Sequence, residues 1–264
     1  MAGVPADAAP RANAWLAESV DAVGYGPRDA VVVAVGSRAI GLAHLSRGRT
    51  GAGAAVDVDT VIYTASLSKQ VTAACAAVLA GRGVLDVGDP LRRWLPEMPA
   101  WADSVAVGDL VHHTSGLPDV LGLVELCERG QDRTSGGVLR ALTQVEHLQE
   151  APGTVHRYCN AGYVALGAVV ERAADQPFAD IAAQHVFTPL GMSRSRYWSG
   201  PSSHPPGAVP TSAGVPAALS LGDGGMWSTA RDLLRWNDAV DGDELGVTAT
   251  LNTPGRLSDG TVVD

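Results

Sequence analysis

The segment that decides the fold is VIYTASLSKQVTAAC, from Val61 to Cys75, because it contains Lys69, the only lysine of the chain. The other basic residues are all arginine. From Ser66 to about Ala80 the apolar residues recur at helical spacing and Gly81 follows, so we predict a helix over this range. Ser66 and Lys69, three residues apart, then share one helix face within side-chain contact.

The serine and the lysine together suit an acyl-transfer site. A serine hydroxyl needs a base before it can act as a nucleophile, and a lysine amine can be that base where its surroundings favour the neutral form. Arginine cannot replace it because the guanidinium keeps its proton at accessible pH. In the first turn of a helix, free backbone N–H groups and the positive end of the helix dipole can hold a developing oxyanion. A single serine–lysine pair is nevertheless a weak motif.

A second element, HRYCNAGY (His156–Tyr163), places Tyr158 and Asn160 at the start of another predicted helix. Taken alone, a tyrosine is more often a core or interface residue, and an asparagine at this position is more often a helix cap. Combined with the serine and the lysine, the Tyr-x-Asn spacing indicates a functional cluster. We interpret Cys159, between them, as a space-filling residue rather than a reactive thiol.

Further segments follow these motifs in a characteristic order. They are LAGRGVLDVGDPLRRWLPEMP (79–99), LVHHTSGLPD (110–119), FTPLGM (187–192) and GGMWSTARDLLRW (224–236). With them the chain resembles the serine β-lactamase/penicillin-binding-protein superfamily, in its class C-like branch, from about residue 29 to 237. The resemblance implies an α/β (α+β) fold of the β-lactamase/transpeptidase type, in which an antiparallel sheet is flanked by helices and joined to a helical subdomain.

The resemblance also implies roles for single residues. Ser66 is expected to be the acylated nucleophile, and its backbone N–H one donor of the oxyanion hole. Lys69 is expected to be the general base, Tyr158 to relay a proton toward the leaving group, and Asn160 to hydrogen-bond the substrate. The implied function is a serine hydrolase of esterase, D,D-peptidase or β-lactamase-like type, acting on a small-molecule ester, amide or peptide without a cofactor.

Two glycines complete the expected site. The stretch LGDGGMW has no phosphate-loop spacing, and in the superfamily it borders the active-site cleft. We therefore expect Gly224 and Gly225 to permit a tight backbone turn beside the substrate.

The sequence departs from the superfamily in its third motif. Relatives carry Lys-Thr-Gly, His-x-Gly or a variant on a strand that also donates the second oxyanion N–H, whereas this chain has no second lysine and no histidine after Asn252. We expect the C-terminal strands of the sheet to be missing and turnover to be low, because one oxyanion donor is commonly worth about 10²–10³ in rate. The alternative function is a truncated or degenerate, non-catalytic member that at most binds, or is acylated by, penicillin-like ligands.

The predicted organisation has three parts. Residues 1–63 would form the N-terminal part of the sheet subdomain, 64–250 a mainly helical subdomain with the motifs, and 251–264 the start of a return to the sheet. Two β-rich runs, Ala30–Val35 and Ala39–Leu45, flank Gly36 and Ser37 and predict a hairpin. Helices are predicted over NAGYVALGAVVERAAD (160–175) and STARDLLRWNDAV (228–240), a short helix before Gly116, and a long loop over 201–216.

Composition excludes several classes of function. The net charge of −9 makes a nucleic-acid groove improbable, because phosphate binding needs concentrated positive charge. The N-terminus lacks the basic start and apolar run of a signal peptide, and no stretch is long enough to span a membrane. The expected location is therefore cytoplasmic, or secreted if a leader was removed. Three widely spaced cysteines and the adjacent His112 and His113 favour neither a disulfide framework nor a metal site. The oligomeric state stays open.

Overall fold

A computed structural model describes residues 8–26, 29–37, 41–119, 134–200, 204–210 and 220–263 of the chain. The helices in these ranges are α1 (Ala8–Ala22), α2 (Ser68–Gly81), α3 (Leu91–Trp94), α4 (Val107–Val111), α5 (Ser135–Leu142), α6 (Asn160–Ala174), α7 (Phe178–Ala182), α8 (Ala230–Asp241) and α9 (Thr248–Leu251). The strands are β1 (Val31–Ser37), β2 (Gly41–Arg47), β3 (Ile62–Tyr63), β4 (Arg196–Tyr197), β5 (Met226–Ser228), β6 (Gly255–Arg256) and β7 (Val262–Val263). Short 3-10 turns cover Ala65–Leu67 and Ala100–Asp103, and a π-helical turn extends α7 over Ala183–Phe187.

Helices α2 and α6 form the centre of the helical part. Helix α2 is rich in alanine, and its residues 74–76 are almost completely buried, so neighbouring helices can approach its backbone closely. Helix α6 packs against α2, α4 and α5 and buries every residue from Ala161 to Val170. A helix covered on all sides must be apolar on all sides, which the sequence of α6 satisfies. The long helix predicted over this segment is thus confirmed.

The predicted N-terminal hairpin exists, with its turn in a different place. Strands β1 and β2 pair antiparallel from Val31 opposite Arg47 to Ser37 opposite Gly41. Gly36 and Ser37 therefore belong to β1 and are not the turn, and residues 38–40 lie outside the described ranges. Helix α1 packs on β2 and helix α8 packs on β1, which covers the two-stranded sheet with helices.

A small three-stranded sheet connects the segment before Ser66 with the GGMW segment. In the order β3-β5-β4, Tyr63 pairs with Trp227 and Arg196 pairs with the same residue from the other side. The backbone N–H and the hydroxyl of Thr64 both donate to the carbonyl of Met226, at 3.1 and 2.9 Å. This pairing brings the residues just before Ser66 against the GGMW segment.

The last described strands form a separate hairpin. Gly255 pairs with Val263 and Arg256 with Val262. Residues 251–264, predicted to start a return to the sheet, contain these two strands, and among the described residues β7 pairs with β6 and not with the β1–β2 sheet.

Three further predictions from the sequence need correction or lie outside the described ranges. Helix α2 begins at Ser68, and Ser66 lies on the 3-10 turn before it, because Ala65 has a φ of +48° that bends the chain at this point. Helix α4 ends at Val111, well before Gly116, because His113 has a φ of +56°. Most of the loop predicted over 201–216, and Cys127, fall outside the described residues.

In the part that the structure describes, no helix combines the length and apolar character needed to span a membrane.

Candidate active site

Ser66 is presented at the surface by a short, well-anchored turn. The preceding Thr64 is buried and fixed to strand β5 by its two bonds to Met226. Ala65 takes the left-handed conformation, which costs a non-glycine residue about 1–2 kcal/mol. The chain then enters the 3-10 turn, so that Ser66 is exposed while Ser68 and Lys69 are buried below it. Backbone N–H groups in such a first turn have no intrahelical acceptor and are available to an oxyanion.

Lys69 lies beneath Ser66 and its amine is surrounded by acceptor oxygens. Its side chain is only 6% exposed. The Nζ atom donates to the backbone carbonyl of Asp223 at 2.7 Å, to Oδ1 of Asn160 at 2.8 Å and to Oγ of Ser66 at 3.3 Å. The same atom lies 4.9 Å from the ring centre of Tyr158. The contacts with Asp223, Asn160 and Tyr158 hold the amine of Lys69 beside the hydroxyl of Ser66.

Tyr158 approaches Ser66 from the solvent side. Its phenol O–H donates to Oγ of Ser66 at 2.8 Å, and its ring packs against the imidazole of His113 with 4.7 Å between the centroids. Tyr158 remains about half exposed, so a substrate can reach the phenol. The hydroxyl of Ser66 therefore has an amine on one side and a phenol on the other.

Asn160 connects the lysine to a carboxylate. While its Oδ1 accepts from Lys69, its side-chain Nδ2 donates to Oδ1 of Asp119 at 3.3 Å, and its backbone N–H donates to the same oxygen at 3.1 Å. The sequence did not indicate these neighbours of Asn160. The contact with substrate that the resemblance implies stays a prediction.

The glycine-rich turn fixes the carbonyl that binds the lysine. Gly222 and Gly225 have φ values of +105° and +80°. A Cβ at Gly222 would lie 2.3 Å from the backbone oxygen of Tyr163, so only glycine fits there. Gly224 is buried beside them. The tight turn predicted at Gly224 and Gly225 is present, and it also depends on Gly222; contact of these glycines with substrate stays a prediction.

Asp223 contacts Lys69 through its backbone carbonyl, while its carboxylate binds a different residue. The carboxylate accepts from the hydroxyl of Ser220 at 2.7 Å. Burial raises the pKa of Asp223 above its usual value, and the Ser220 bond and the charge of Lys69 act in the opposite direction.

His113 is a neutral packing residue of the site. Burial, and after it the positive charge of Lys69, lower its pKa to about 4. Its Nδ1 accepts from the backbone N–H of Cys159 at 3.1 Å, and the ring also packs against Tyr163. These contacts give His113 a packing role in the turn between α4 and the site. The described ranges contain no group of three or more His, Cys, Asp or Glu placed to hold a metal ion.

Cys159 is the N-cap residue of helix α6 and is buried. Its Sγ accepts from the backbone N–H of Gly162 at 3.3 Å and donates to the carbonyl of Pro118 at 3.5 Å. Burial raises the pKa of the thiol to about 11, and that of Cys75 to about 12. Both residues are protonated at neutral pH, which agrees with a space-filling role for Cys159.

A cleft of about 610 Å³ is lined in part by Lys69. Helix α2, the end of α4, and helices α8 and α9 surround it. Its lining is mixed and includes Tyr163, Trp236, Val240, Leu251 and Asn252.

Sequence reasoning missed two contributors to the site. Asp119 closes the segment LVHHTSGLPD, which carried the resemblance, but a carboxylate at the end of a turn has no distinguishing mark in one sequence. The carbonyl of Asp223 belongs to the backbone and has no residue signature. The glycines around it were the available signal that the backbone approaches another group closely.

Comparison with known proteins identifies the family of the chain. A family model described as Beta-lactamase matches residues 19–261. Esterase EstB of Burkholderia gladioli is 36% identical over 203 residues, which cover 71% of this chain and 49% of the esterase. Penicillin-binding protein 4* of Bacillus subtilis (strain 168) is 31% identical over 143 residues, which cover 53% of this chain and 31% of that protein. The chain thus spans about a third to a half of the length of these curated relatives.

A solved structure shows the same fold. The crystal structure of D-amino acid amidase from Ochrobactrum anthropi SV3, in complex with L-phenylalanine amide, matches with a TM-score of 0.75 at 21% sequence identity. The match covers 93% of this chain and 73% of the amidase.

Proposed function

Because the chain belongs to the Beta-lactamase family and has the β-lactamase/transpeptidase fold, we propose that it is a serine hydrolase that forms an acyl-enzyme on Ser66 with an ester or amide substrate. The observation that carries the proposal is the convergence of two proton-transferring groups on one hydroxyl. Nζ of Lys69 lies 3.3 Å and the phenol oxygen of Tyr158 lies 2.8 Å from Oγ of Ser66.

Acylation begins with removal of the serine proton. Neutral Lys69 accepts the proton of the Ser66 hydroxyl as Oγ forms a bond to the substrate carbonyl carbon. The carbonyl π electrons move to oxygen, and the backbone N–H of Ser66 donates a hydrogen bond to the resulting oxyanion. Arginine at position 69 could not perform this step because it does not deprotonate.

Collapse of the tetrahedral intermediate expels the leaving group. The bond from the carbonyl carbon to the leaving oxygen or nitrogen breaks, and Tyr158 gives its phenol proton to that atom. The proton on Lys69 then restores the phenol. Hydrolysis repeats the sequence with water as the nucleophile and Oγ of Ser66 as the leaving group, which regenerates the free hydroxyl.

The substrate class is a small ester, amide or peptide. The names of the relatives support this choice, since they describe an esterase, a penicillin-binding protein and a D-amino acid amidase. The half-exposed Tyr158 and exposed Ser66 leave the reacting atoms open to such a molecule. The activity of the whole protein is part of the same proposal, because the chain covers only part of these curated relatives.

The test combines product release with intact mass. The protein is incubated with p-nitrophenyl acetate and, separately, with benzylpenicillin, and compared with Ser66→Ala. We expect release of p-nitrophenol and a transient mass increase that Ser66→Ala abolishes. Release that persists in Ser66→Ala would contradict the proposal.

A non-catalytic binder is the second candidate. Lys69 is the only lysine, so the 264 residues contain no Lys-Thr-Gly motif. A stable adduct on Ser66 without further turnover would favour this candidate. A folded protein that forms no adduct with either reagent would exclude both activities.

A further inference from the structure

The turn that precedes helix α6 is held by the segment LVHHTSGLPD at several points. The carbonyl of His113 accepts from the backbone N–H of Arg157 at 2.8 Å, and Nδ1 of His113 accepts from that of Cys159. Asp119 then accepts twice at Asn160, from its backbone and from its side chain. Among these contacts, only the hydrogen bond that the side-chain amide of Asn160 donates to Asp119 involves a group that also contacts Lys69.

From this bond we infer that Asp119 is a positioning residue, which fixes the orientation of the Asn160 amide so that its oxygen faces Lys69. A carboxylate can only accept hydrogen bonds, whereas a primary amide has an accepting side and a donating side. The Nδ2 group must therefore face Asp119, and Oδ1 must face Nζ of Lys69, where the distance is 2.8 Å. A rotated amide would place oxygen against oxygen at Asp119.

The orienting contact matters most when the amine is neutral. A protonated amine only donates and would by itself hold the amide oxygen toward it. Once the amine has lost a proton it also offers a lone pair, and the Nδ2 group of Asn160 could then turn toward it. Asp119 keeps the acceptor side on Lys69 in both protonation states, so the lone pair stays available to the proton of Ser66. The inference rests on the proposed function for this kinetic consequence, but not for the orientation itself.

The simplest competing explanation is that Asp119 only caps helix α6. Its bond to the backbone N–H of Asn160, the first residue of the helix, is of the capping kind. Asp119→Asn replaces an acceptor-only carboxylate by an amide whose NH2 side can also face Asn160, so it weakens both the bond to the backbone N–H and the constraint on the side-chain amide. The Asn160→Ala background keeps the backbone N–H and removes the side-chain amide, so it distinguishes capping from orientation.

Because the chain has a single lysine, NMR can report on the surroundings of Lys69 without resonance assignment. Labelling with [13C]-lysine gives one Cε signal for the whole chain, from Lys69. We expect the wild-type signal to differ from free lysine and to show two inequivalent Hε protons, and to move toward the free-lysine position in Asp119→Asn. The matched control is Asp103→Asn, which removes an exposed carboxylate paired with Arg92 and should leave the signal unchanged.

A double variant separates positioning from a direct charge effect. If Asp119 acts through Asn160, then Asp119→Asn has no further effect on the lysine signal in an Asn160→Ala background. An equal shift in both backgrounds, or a wild-type signal in Asp119→Asn with an unchanged melting temperature, would overturn the inference.

The kinetic arm uses acylation by benzylpenicillin or p-nitrophenyl acetate. We expect Asp119→Asn to slow acylation by roughly 10- to 100-fold, the cost of misplacing a catalytic group. If the wild type is not acylated, the proposed function fails while the lysine signal still decides the orientation. If the wild type is acylated and Asp119→Asn is acylated at the same rate, the inference about Asp119 is overturned while the proposed function stands.

Discussion

The imidazole of His113 packs against the phenol ring of Tyr158 with 4.7 Å between the two centroids, and its Nδ1 accepts a hydrogen bond from the next residue, Cys159. This arrangement requires an unprotonated Nδ1, because a protonated ring has no acceptor. The ring that supports the proposed proton-relay tyrosine is thus itself sensitive to acid.

We predict that acid destabilises the protein through His113. Burial and the charges of Lys69, His156 and His112 lower the pKa of His113 to about 4 from its usual 6.5, against the opposing charge of Asp119. Between these two values the unfolded chain binds more protons than the folded chain, so stability is present above pH 6.5 and is lost as the pH falls toward 4. Thermal melts from pH 7 to 4.5 should show the midpoint falling by several degrees.

The matched variant for this prediction is His113→Asn. Asparagine tolerates the positive φ of this position better than most residues and does not titrate. The variant should lose less stability over the same pH range, although His112, whose pKa burial also lowers, still contributes in the same direction. An identical pH dependence in the two proteins would show that His113 is not responsible.

The sequence was sufficient to identify the side chains that cluster at the candidate site and to predict the main helices. Ser66, Lys69, Tyr158 and Asn160 were chosen from two short motifs, and the structure brings all four together. It was insufficient where tertiary contacts decide the backbone. Nothing local distinguishes Ala65 from a helical residue, so the start of α2 was placed two residues too early.

The hairpin shows the same limitation. Gly36 and Ser37 are turn-forming residue types, but they pair with Leu42 and Gly41 in the ladder. Cross-strand pairing outweighs the local preference for a turn, since a one-residue shift would exchange the two faces of both strands. The interactions of Asp119 and of the Asp223 carbonyl with the site were likewise invisible, because each joins segments far apart in the chain.

Lys69→Arg should slow acylation by at least about 10²-fold, the low end for general-base catalysis. The substitution keeps the positive charge and removes the amine that can be neutral. Intact-mass kinetics with p-nitrophenyl acetate measure the rate of adduct formation on Ser66. A near-normal rate, in a variant that melts like the wild type, would mean that Lys69 is structural.

Tyr158→Phe should discriminate between leaving groups. The ring contact with His113 is preserved, while the O–H that lies 2.8 Å from Ser66 is removed. Departure of an amine requires a proton, whereas p-nitrophenolate leaves without one. We therefore expect a loss of about 10²-fold or more for an amide substrate such as a D-amino acid p-nitroanilide, and a smaller loss for the p-nitrophenyl ester. Equal losses for both substrates would argue against transfer of a proton from the phenol to the leaving group.

Gly222→Ala should damage both stability and the lysine site. The new Cβ would lie 2.3 Å from the backbone oxygen of Tyr163 in the buried helix α6, at a φ of +105°. Relief of this clash must move the turn that carries the Asp223 carbonyl, which accepts from Lys69 at 2.7 Å. We expect a loss of about 3 kcal/mol or more in the free energy of unfolding, measured in urea, together with slower acylation.

Gly191→Ala provides the matched control for this clash. Gly191 also has a positive φ, +66°, but no atom lies within 4 Å of the position of an added Cβ. Its substitution should cost only the backbone strain of about 1–2 kcal/mol and leave acylation unchanged. The difference between the two variants therefore isolates the close approach of the glycine turn to α6. If Gly222→Ala were no less stable than Gly191→Ala and kept wild-type acylation, the Asp223 carbonyl would not depend on this turn for its position beside Lys69.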